Sequence, residues 1–333
     1  MDLNAEVAKI AQKYFLEHEI ESVKIFGDRI IVTLVSEHEE NDKAQALKQE
    51  LLSLENIKKV NVVFTKQKTN VSMKPEIEKW VVPGVKKIIG VASGKGGVGK
   101  STTATNLALA LVNCGLKVAL FDADIYGPSI PTMLGYEGMP TVSYDGKNFE
   151  PFDVLNLKSI SIGTLIDRNT PLIWRGAKAC GAIEQLMTQT NWGEIDVMVI
   201  DMPPGTGDIQ ITLSQRINMD GIVIVSTPQD IALIDAIKGV NMFKKVNVPI
   251  LGIVENMSYY ICEKCGNRAD IFGHHGAKKT AEDMGETFLG EIPLHLEIRE
   301  NADRGTPIVY ADPFSVHTKA YEEIAQKIKS QLF

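Results

Sequence analysis

The chain is poor in cysteine. It has four thiols among 333 residues, and the first is Cys114. So sparse a set does not make a disulfide framework and points to a reducing compartment. No apolar stretch reaches the roughly 18 residues that a membrane span needs. The N-terminus, Met1-Asp2-Leu3-Asn4-Ala5-Glu6, lacks the basic and apolar segments of a secretory signal. Lysine and arginine (35) are outnumbered by aspartate and glutamate (42), for a formal net charge of −7 at pH 7. A broad nucleic-acid-binding face is basic, so that class is disfavoured. The expectation is a cytoplasmic protein with neither a membrane nor a nucleic acid as partner.

What is present falls into parts. Residues 1–68 read as a small α+β domain. Helical spacing covers 6–15 and 44–54, and strand-like runs cover 23–25, 29–35 and 60–64. Gly27-Asp28 is a hairpin signal. The lysine-rich stretch 69–85, with Pro75 and Pro83, reads as a linker. From residue 86 to 333 the pattern changes. Near-continuous apolar runs at 118–121, 197–200, 222–225 and 250–254 alternate with helical stretches at 102–113, 177–190, 209–217 and 231–246. Such runs suit a sheet covered on both faces. The expected fold class is α/β, a doubly wound, mostly parallel sheet, with ligands at the carboxyl ends of its strands.

Between the apolar run 86–93 and the first of those helices lies Gly94-Lys95-Gly96-Gly97-Val98-Gly99-Lys100-Ser101. This is a complete G-x-x-x-x-G-K-[ST] loop in the strand–loop–helix context that the motif requires. Its glycines let backbone N–H groups close on phosphate oxygens, and the helix N-terminus adds its positive end. Lys100 is expected to bridge the β- and γ-phosphates of ATP and Ser101 to ligate Mg²⁺. Thr102 follows among the nucleotide-binding residues. Lys95 resembles the extra lysine of the deviant-Walker ATPases, the MinD and ParA class. That resemblance implies two chains face to face, with Lys95 acting on nucleotide at their interface.

Two strands end in acid. The run 118–121 leads into Asp122-Ala123-Asp124, and 197–200 leads into Asp201-Met202-Pro203-Pro204-Gly205-Thr206-Gly207-Asp208. An apolar strand ending in aspartate is the Walker B pattern, so Asp201 is assigned to Mg²⁺. Asp122 is placed near the metal's outer shell. By the same class resemblance, Asp124 orients the attacking water. A turn or helix-cap role is the alternative for Asp122 and Asp124.

Cys262-Glu263-Lys264-Cys265-Gly266 offers two thiolates to one metal centre. A lone pair is half a site, since zinc or an iron–sulfur cluster wants about four ligands. Three completions stay open. A second copy could supply two more cysteines for a [4Fe–4S] cluster. His274 and His275 could complete a zinc site within one chain. The pair could also be a redox dithiol. Cys114 and Cys180 lie in helical stretches and read as small buried residues.

Together, the phosphate loop, Asp122-Ala123-Asp124-Ile125-Tyr126-Gly127-Pro128-Ser129, the 201–208 segment, Glu255-Asn256-Met257-Ser258 ahead of the cysteines, Ile271-Phe272-Gly273 and Glu291-Ile292-Pro293-Leu294 resemble the Mrp/ApbC iron–sulfur cluster carriers. The resemblance spans residues 80–333. It implies a homodimeric ATPase that holds a labile [4Fe–4S] cluster between subunits. Its partners would be cluster scaffold proteins and client apoproteins. It further implies that Asn256 and the stretch near Pro293 contact the adenine base. The N-terminal part resembles the small domain that precedes the ATPase in that family. It departs from it at 17–22, Glu-His-Glu-Ile-Glu-Ser, where an Asp-Pro-Glu turn is usual. The competing class is a MinD- or ParA-like positioning ATPase with a zinc-binding cysteine pair. Its membrane-binding helix would be the amphipathic segment 320–333, which is expected to pack on the sheet instead.

Overall fold

The structure is a computed structural model that describes residues 3–16, 19–35, 41–54, 56–65, 78–143, 146–165 and 176–333. The chain divides into two compact units, residues 1–76 and 77–333. In the first, α1 (Leu3–Ala11), β1 (Ile20–Phe26), β2 (Arg29–Val35), α2 (Asn41–Leu52) and β3 (Lys59–Thr65) follow in order. β1 and β2 form an antiparallel hairpin about Gly27, whose φ is +60°. β3 adds parallel to β2. The alternate residues Ile30, Val32 and Leu34 of β2 point into a core shared with Val7, Leu47 and Leu51. Period-two burial on one face is what a sheet backed by helices requires. Glu17 and His18 lie outside the described residues.

The second unit begins before its first long strand. Trp80, expected in the linker, forms a parallel bridge to Ile217, and its N–H donates to the Arg216 carbonyl at 2.7 Å. Trp80 and Val82 are buried in the main core. Residues 80–85 thus belong to this unit, and the part of the expected linker at 69–77 lies outside the described residues. Two widely spaced apolar side chains in a polar stretch give no periodic signal, which is why the core contribution was hidden.

Eight strands build one sheet. They are β4 (Val85–Ala92), β5 (Val118–Asp122), β6 (Phe152–Val154), β7 (Leu157–Ser161), β8 (Ile195–Asp201), β9 (Gly221–Ser226), β10 (Ile250–Asn256) and β13 (Phe288–Ile292). Their spatial order is β13-β10-β9-β4-β8-β5-β7-β6. All pairs are parallel except β6–β7. Between them run α3 (Lys100–Asn113), α4 (Ile130–Leu134), α5 (Gly176–Thr188), α6 (Asp208–Arg216), α7 (Asp230–Lys245) and α8 (Gly276–Met284). A two-residue hairpin, β11 (Tyr260–Ile261) with β12 (Arg268–Ala269), projects after β10. The chain closes with α9 (Leu296–Asp303), α10 (Ile308–Ala311) and α11 (Val316–Leu332).

Both faces of this sheet are covered. Ile88, Phe121, Met198 and Ile200 pack with α5, α6 and α7, while Ile89, Val91, Leu120 and Val199 pack with α3 and α11. Continuous apolar runs follow from this double burial. α11 buries Tyr321, Ile324, Ala325 and Ile328. Its Lys327 and Lys329 donate to the carbonyls of Leu289 and Cys114, each at 2.7 Å. Its apolar face is therefore used inside the unit. No helix among the described residues is long and apolar enough to cross a membrane. The chain runs from β4 to one side through β5 and β8, then to the other through β9. The crevice outside the carboxyl end of β4 lies at this reversal, where such sheets bind ligands.

Candidate nucleotide and metal site

The phosphate loop occupies that crevice. Gly97 and Gly99 have φ of +82° and +81°, which only glycine adopts without strain. A Cβ at Gly99 would also collide with the Asn256 side-chain amide. That amide, at the end of β10, donates to the Val98 carbonyl at 2.8 Å and ties the loop to a strand two places away in the sheet. Gly94 packs directly on the backbone of Asp235 in α7. The first helical residue of α3 is Lys100, so the N-terminal N–H groups of a 14-residue helix open onto the loop. Lys95 is half-buried, and among the described residues it has no carboxylate in ion-pair reach.

Asp122 and Asp201 are register partners on adjacent strands β5 and β8. Lys100 Nζ lies 2.5 Å from Asp201 Oδ1 and 3.3 Å from Asp124 Oδ2, with all three side chains buried. It also lies 3.3 Å from the Ser101 hydroxyl. Asp124 Oδ1 accepts the N–H groups of Tyr126 and Gly127, so Asp124 shapes a turn and faces the lysine at once. Asp122 accepts from the N–H groups of Asp124 and Ile130 and from the Ser161 hydroxyl at 2.8 Å. Ser161 ends β7, the strand next to the sheet edge, whose polar residues gave no warning of this contact.

One ammonium faces three carboxylates here, and the electrostatics show the mismatch. Burial, then repulsion from Asp201, pushes the Asp122 carboxyl up to about 7. Burial likewise raises Asp201, against the pull of Lys100. Burial disfavours the Lys100 ammonium, but Asp201 and Asp124 outweigh it and hold it charged. Asp201 Oδ2 is buried without a hydrogen-bond partner. An orphaned carboxylate oxygen beside a surplus of negative charge fits a divalent cation.

A pH dependence follows. Asp122 has its folded pKa above its unfolded value near 3.9. Between those values the folded state binds more protons, so stability falls as pH rises from about 4 to about 7. The contribution is at most about 1.4 kcal/mol per pH unit. Melting temperatures of nucleotide-free, Mg²⁺-free protein should show this fall, and Asp122→Asn should flatten it. An equal slope in both proteins would refute the assignment.

Asn256 and Ile292 are register partners on β10 and β13, which sets Asn256 beside Pro293, the next residue. Pro293 is buried. Glu255, quoted above only as part of a motif, lies one residue before Asn256. It is fully buried, accepting from the Ser258 hydroxyl at 2.5 Å and the Ala277 N–H at 2.6 Å.

The cysteine pair sits in the turn of the β11–β12 hairpin. Cys262 N–H donates to the Asn267 carbonyl, and Gly266 N–H to the Cys262 carbonyl. Both thiols are free; Cys262 is half-buried and Cys265 exposed. The backbone N–H groups of Cys265 and Lys264, and the Cys265 thiol, favour the Cys262 thiolate and lower its pKa. A thiolate is the metal-binding form. His274 Nδ1 lies 3.0 Å from Asp270, and His275 Nδ1 lies 2.6 Å from Glu291. Among the described residues, no cluster of three metal-ligating side chains includes either cysteine. Among the described residues, Cys262, Cys265, His274 and His275 are therefore not gathered into one four-ligand site.

The sheet order, the glycine loop and the acid-tipped strands define a P-loop NTPase of the MinD/ParA fold. Comparison agrees. A nucleotide-binding protein from Archaeoglobus fulgidus, solved with ADP, superposes with a TM-score of 0.61 at 36% identity over 71% of this chain and 91% of that one. The cell division ATPase MinD of Pyrococcus furiosus gives a TM-score of 0.57 at 24% identity, over 73% of this chain and 98% of that one, a likeness of fold alone. The ParA family model, described as NUBPL iron-transfer P-loop NTPase, matches residues 84–329, and the chain belongs to that family. The iron-sulfur cluster carrier protein of Salmonella typhimurium is 54% identical over 252 residues, 76% of this chain and 68% of its own length.

Proposed function

We propose that the protein is an ATP-hydrolysing carrier of iron–sulfur clusters. Two copies of the chain hold one [4Fe–4S] cluster between Cys262 and Cys265 of each and pass it to apoproteins. One observation carries this reading. Cys265 is exposed and Cys262 half-buried, the Cys262 thiolate is favoured, and their own chain offers the pair no further ligand among the described residues. A second copy completes the four thiolates that such a cluster takes. Exposed Ile261 and Ile271 flank the pair, and exposed Ile231 and Ile234 lie on α7. They offer apolar surface for the partner copy. The carrier names of the relatives point the same way.

At the nucleotide, the backbone of residues 94–99 and the first turn of α3, including Thr102, cradle the phosphates. Lys100 leaves its carboxylates for the β- and γ-phosphates. Ser101 and Asp201 would hold Mg²⁺, which would polarise the phosphoryl oxygens, with Asp122 supporting its shell. Asp124 orients water, and Lys95 reaches the nucleotide across the dimer. Asn256 and Pro293 border the base. The positioning-ATPase reading lacks support in α11, whose apolar face is already buried.

Anaerobic reconstitution with iron and sulfide should yield about four irons per two chains. Transfer to an apo-acceptor should change rate with Mg·ATP. A loaded monomer would overturn the shared site. Identical transfer with and without nucleotide would overturn the coupling.

A further inference from the structure

Where the chain leaves β13 for α9, a second group of metal-ligating side chains converges. His295 caps α9, Glu297 lies in its first turn, and His317 lies at the start of α11. One ligand atom from each lies within 4.8 Å of the other two. The two imidazole rings sit 4.2 Å apart, tilted by 34°. His317 is only 7% exposed, and its buried Nδ1 has no hydrogen-bond partner. Native structures rarely leave a buried polar atom unpaired without a reason. Burial, reinforced by His295, lowers the His317 pKa and favours the neutral ring that binds metals.

The two nitrogens of His295 have different surroundings. Nε2 faces Glu263 Oε1 at 3.5 Å. Nδ1 accepts a long bond, 3.3 Å, from the Glu297 N–H and lies 3.8 Å from the Glu297 carboxylate. With Nδ1 accepting that N–H, the ring proton belongs on Nε2, and an ion at Nδ1 would displace the long capping bond. A carboxylate behind the far nitrogen is the usual support of a metal-ligating histidine. Glu263, the carboxylate in question, stands between Cys262 and Cys265.

We infer that His295 Nδ1, the Glu297 carboxylate and His317 form a mononuclear site for a divalent first-row transition-metal ion, with Glu263 as the outer carboxylate that orients His295. Two imidazoles and one carboxylate are a zinc-type donor set that leaves a fourth position for water. Magnesium and calcium, which take oxygen ligands, are disfavoured. Zinc–ligand bonds near 2.0–2.1 Å put tetrahedral ligand atoms roughly 3.4 Å apart. The side chains must therefore close inward, and the Glu297 side chain, 57% exposed, is free to do so. An ion here would pin the tip of the cysteine loop, through Glu263 and His295, to the starts of α9 and α11. The site needs no cluster at the cysteines and no second chain.

Cobalt(II) titration of the full-length Cys262→Ser/Cys265→Ser protein, without nucleotide, tests this. The expected result is one ion per chain, with visible d–d absorption and no thiolate charge-transfer band. His295→Asn/Glu297→Gln, which leaves the buried His317 and the Mg²⁺ acids intact, should weaken binding by about 100-fold or more. Glu263→Gln should weaken it by about tenfold, as loss of an outer partner does. No binding by the folded cysteine-free protein, or binding as tight in His295→Asn/Glu297→Gln, overturns the site. Unchanged affinity in Glu263→Gln overturns the role of Glu263.

Discussion

Replacing Lys100 with alanine should lower ATP turnover by about 10³-fold, measured as steady-state phosphate release. The same change should destabilise the empty protein. Lys100 is the cation that Asp201 and Asp124 contact, and Asp201 is fully buried. Removing one partner of a buried charge group typically costs about 3–5 kcal/mol. Here the carboxylates can instead take up protons, because burial already raises Asp122 and Asp201. The penalty should therefore be largest at pH 8 and shrink toward pH 6. Melting curves of both proteins across that range check it. A variant that loses turnover yet melts like the parent at pH 8 would show that Lys100 does not balance these acids.

Cys265→Ala alone should remove nearly all cluster, leaving about a tenth or less of the parent's iron and visible absorption after anaerobic reconstitution. In a site shared across a two-fold axis, one substitution deletes two of the four thiolates. The decisive sample is a mixed dimer of one parental chain and one Cys262→Ala/Cys265→Ala chain. The shared-site reading expects it to hold essentially no cluster. Half the parental iron in the mixed dimer would mean that each chain binds its own metal. The contacts of His274 with Asp270 and of His275 with Glu291 argue against that outcome.

Much of the large unit was legible in the chain because its signals are local. A glycine loop needs particular residues at fixed spacing, and a strand buried on both faces needs an unbroken apolar run. Strands β4, β5, β8, β9 and β10 all announce themselves this way. The hairpin of β6 and β7 does not. It is short, its strands carry Asp153 and Lys158, and its turn puts Leu155 and Asn156 at φ of +50° and +63°. Leucine gives no hint of such a conformation. The site divides in the same way. Lys100, Ser101 and the strand-end acids were legible as motifs, whereas the meeting of Lys100 with Asp201 joins residues 101 positions apart. Ser161, Glu255 and the pairing of His295 with His317 also depend on long-range placement. Only the folded sheet reveals them.

The Asn256–Val98 clasp has a further consequence. Only five residues separate Asn256 from Cys262, and the first of them, Met257, is held at φ +54°. The six Cα–Cα steps from one to the other span at most about 20 Å when fully extended. The nucleotide loop and the cysteine turn are thus moored to a tether of set length, with little slack to absorb a shift at either end. Under the proposed coupling, a chain that gained residues here would keep both sites intact and lose the link between them.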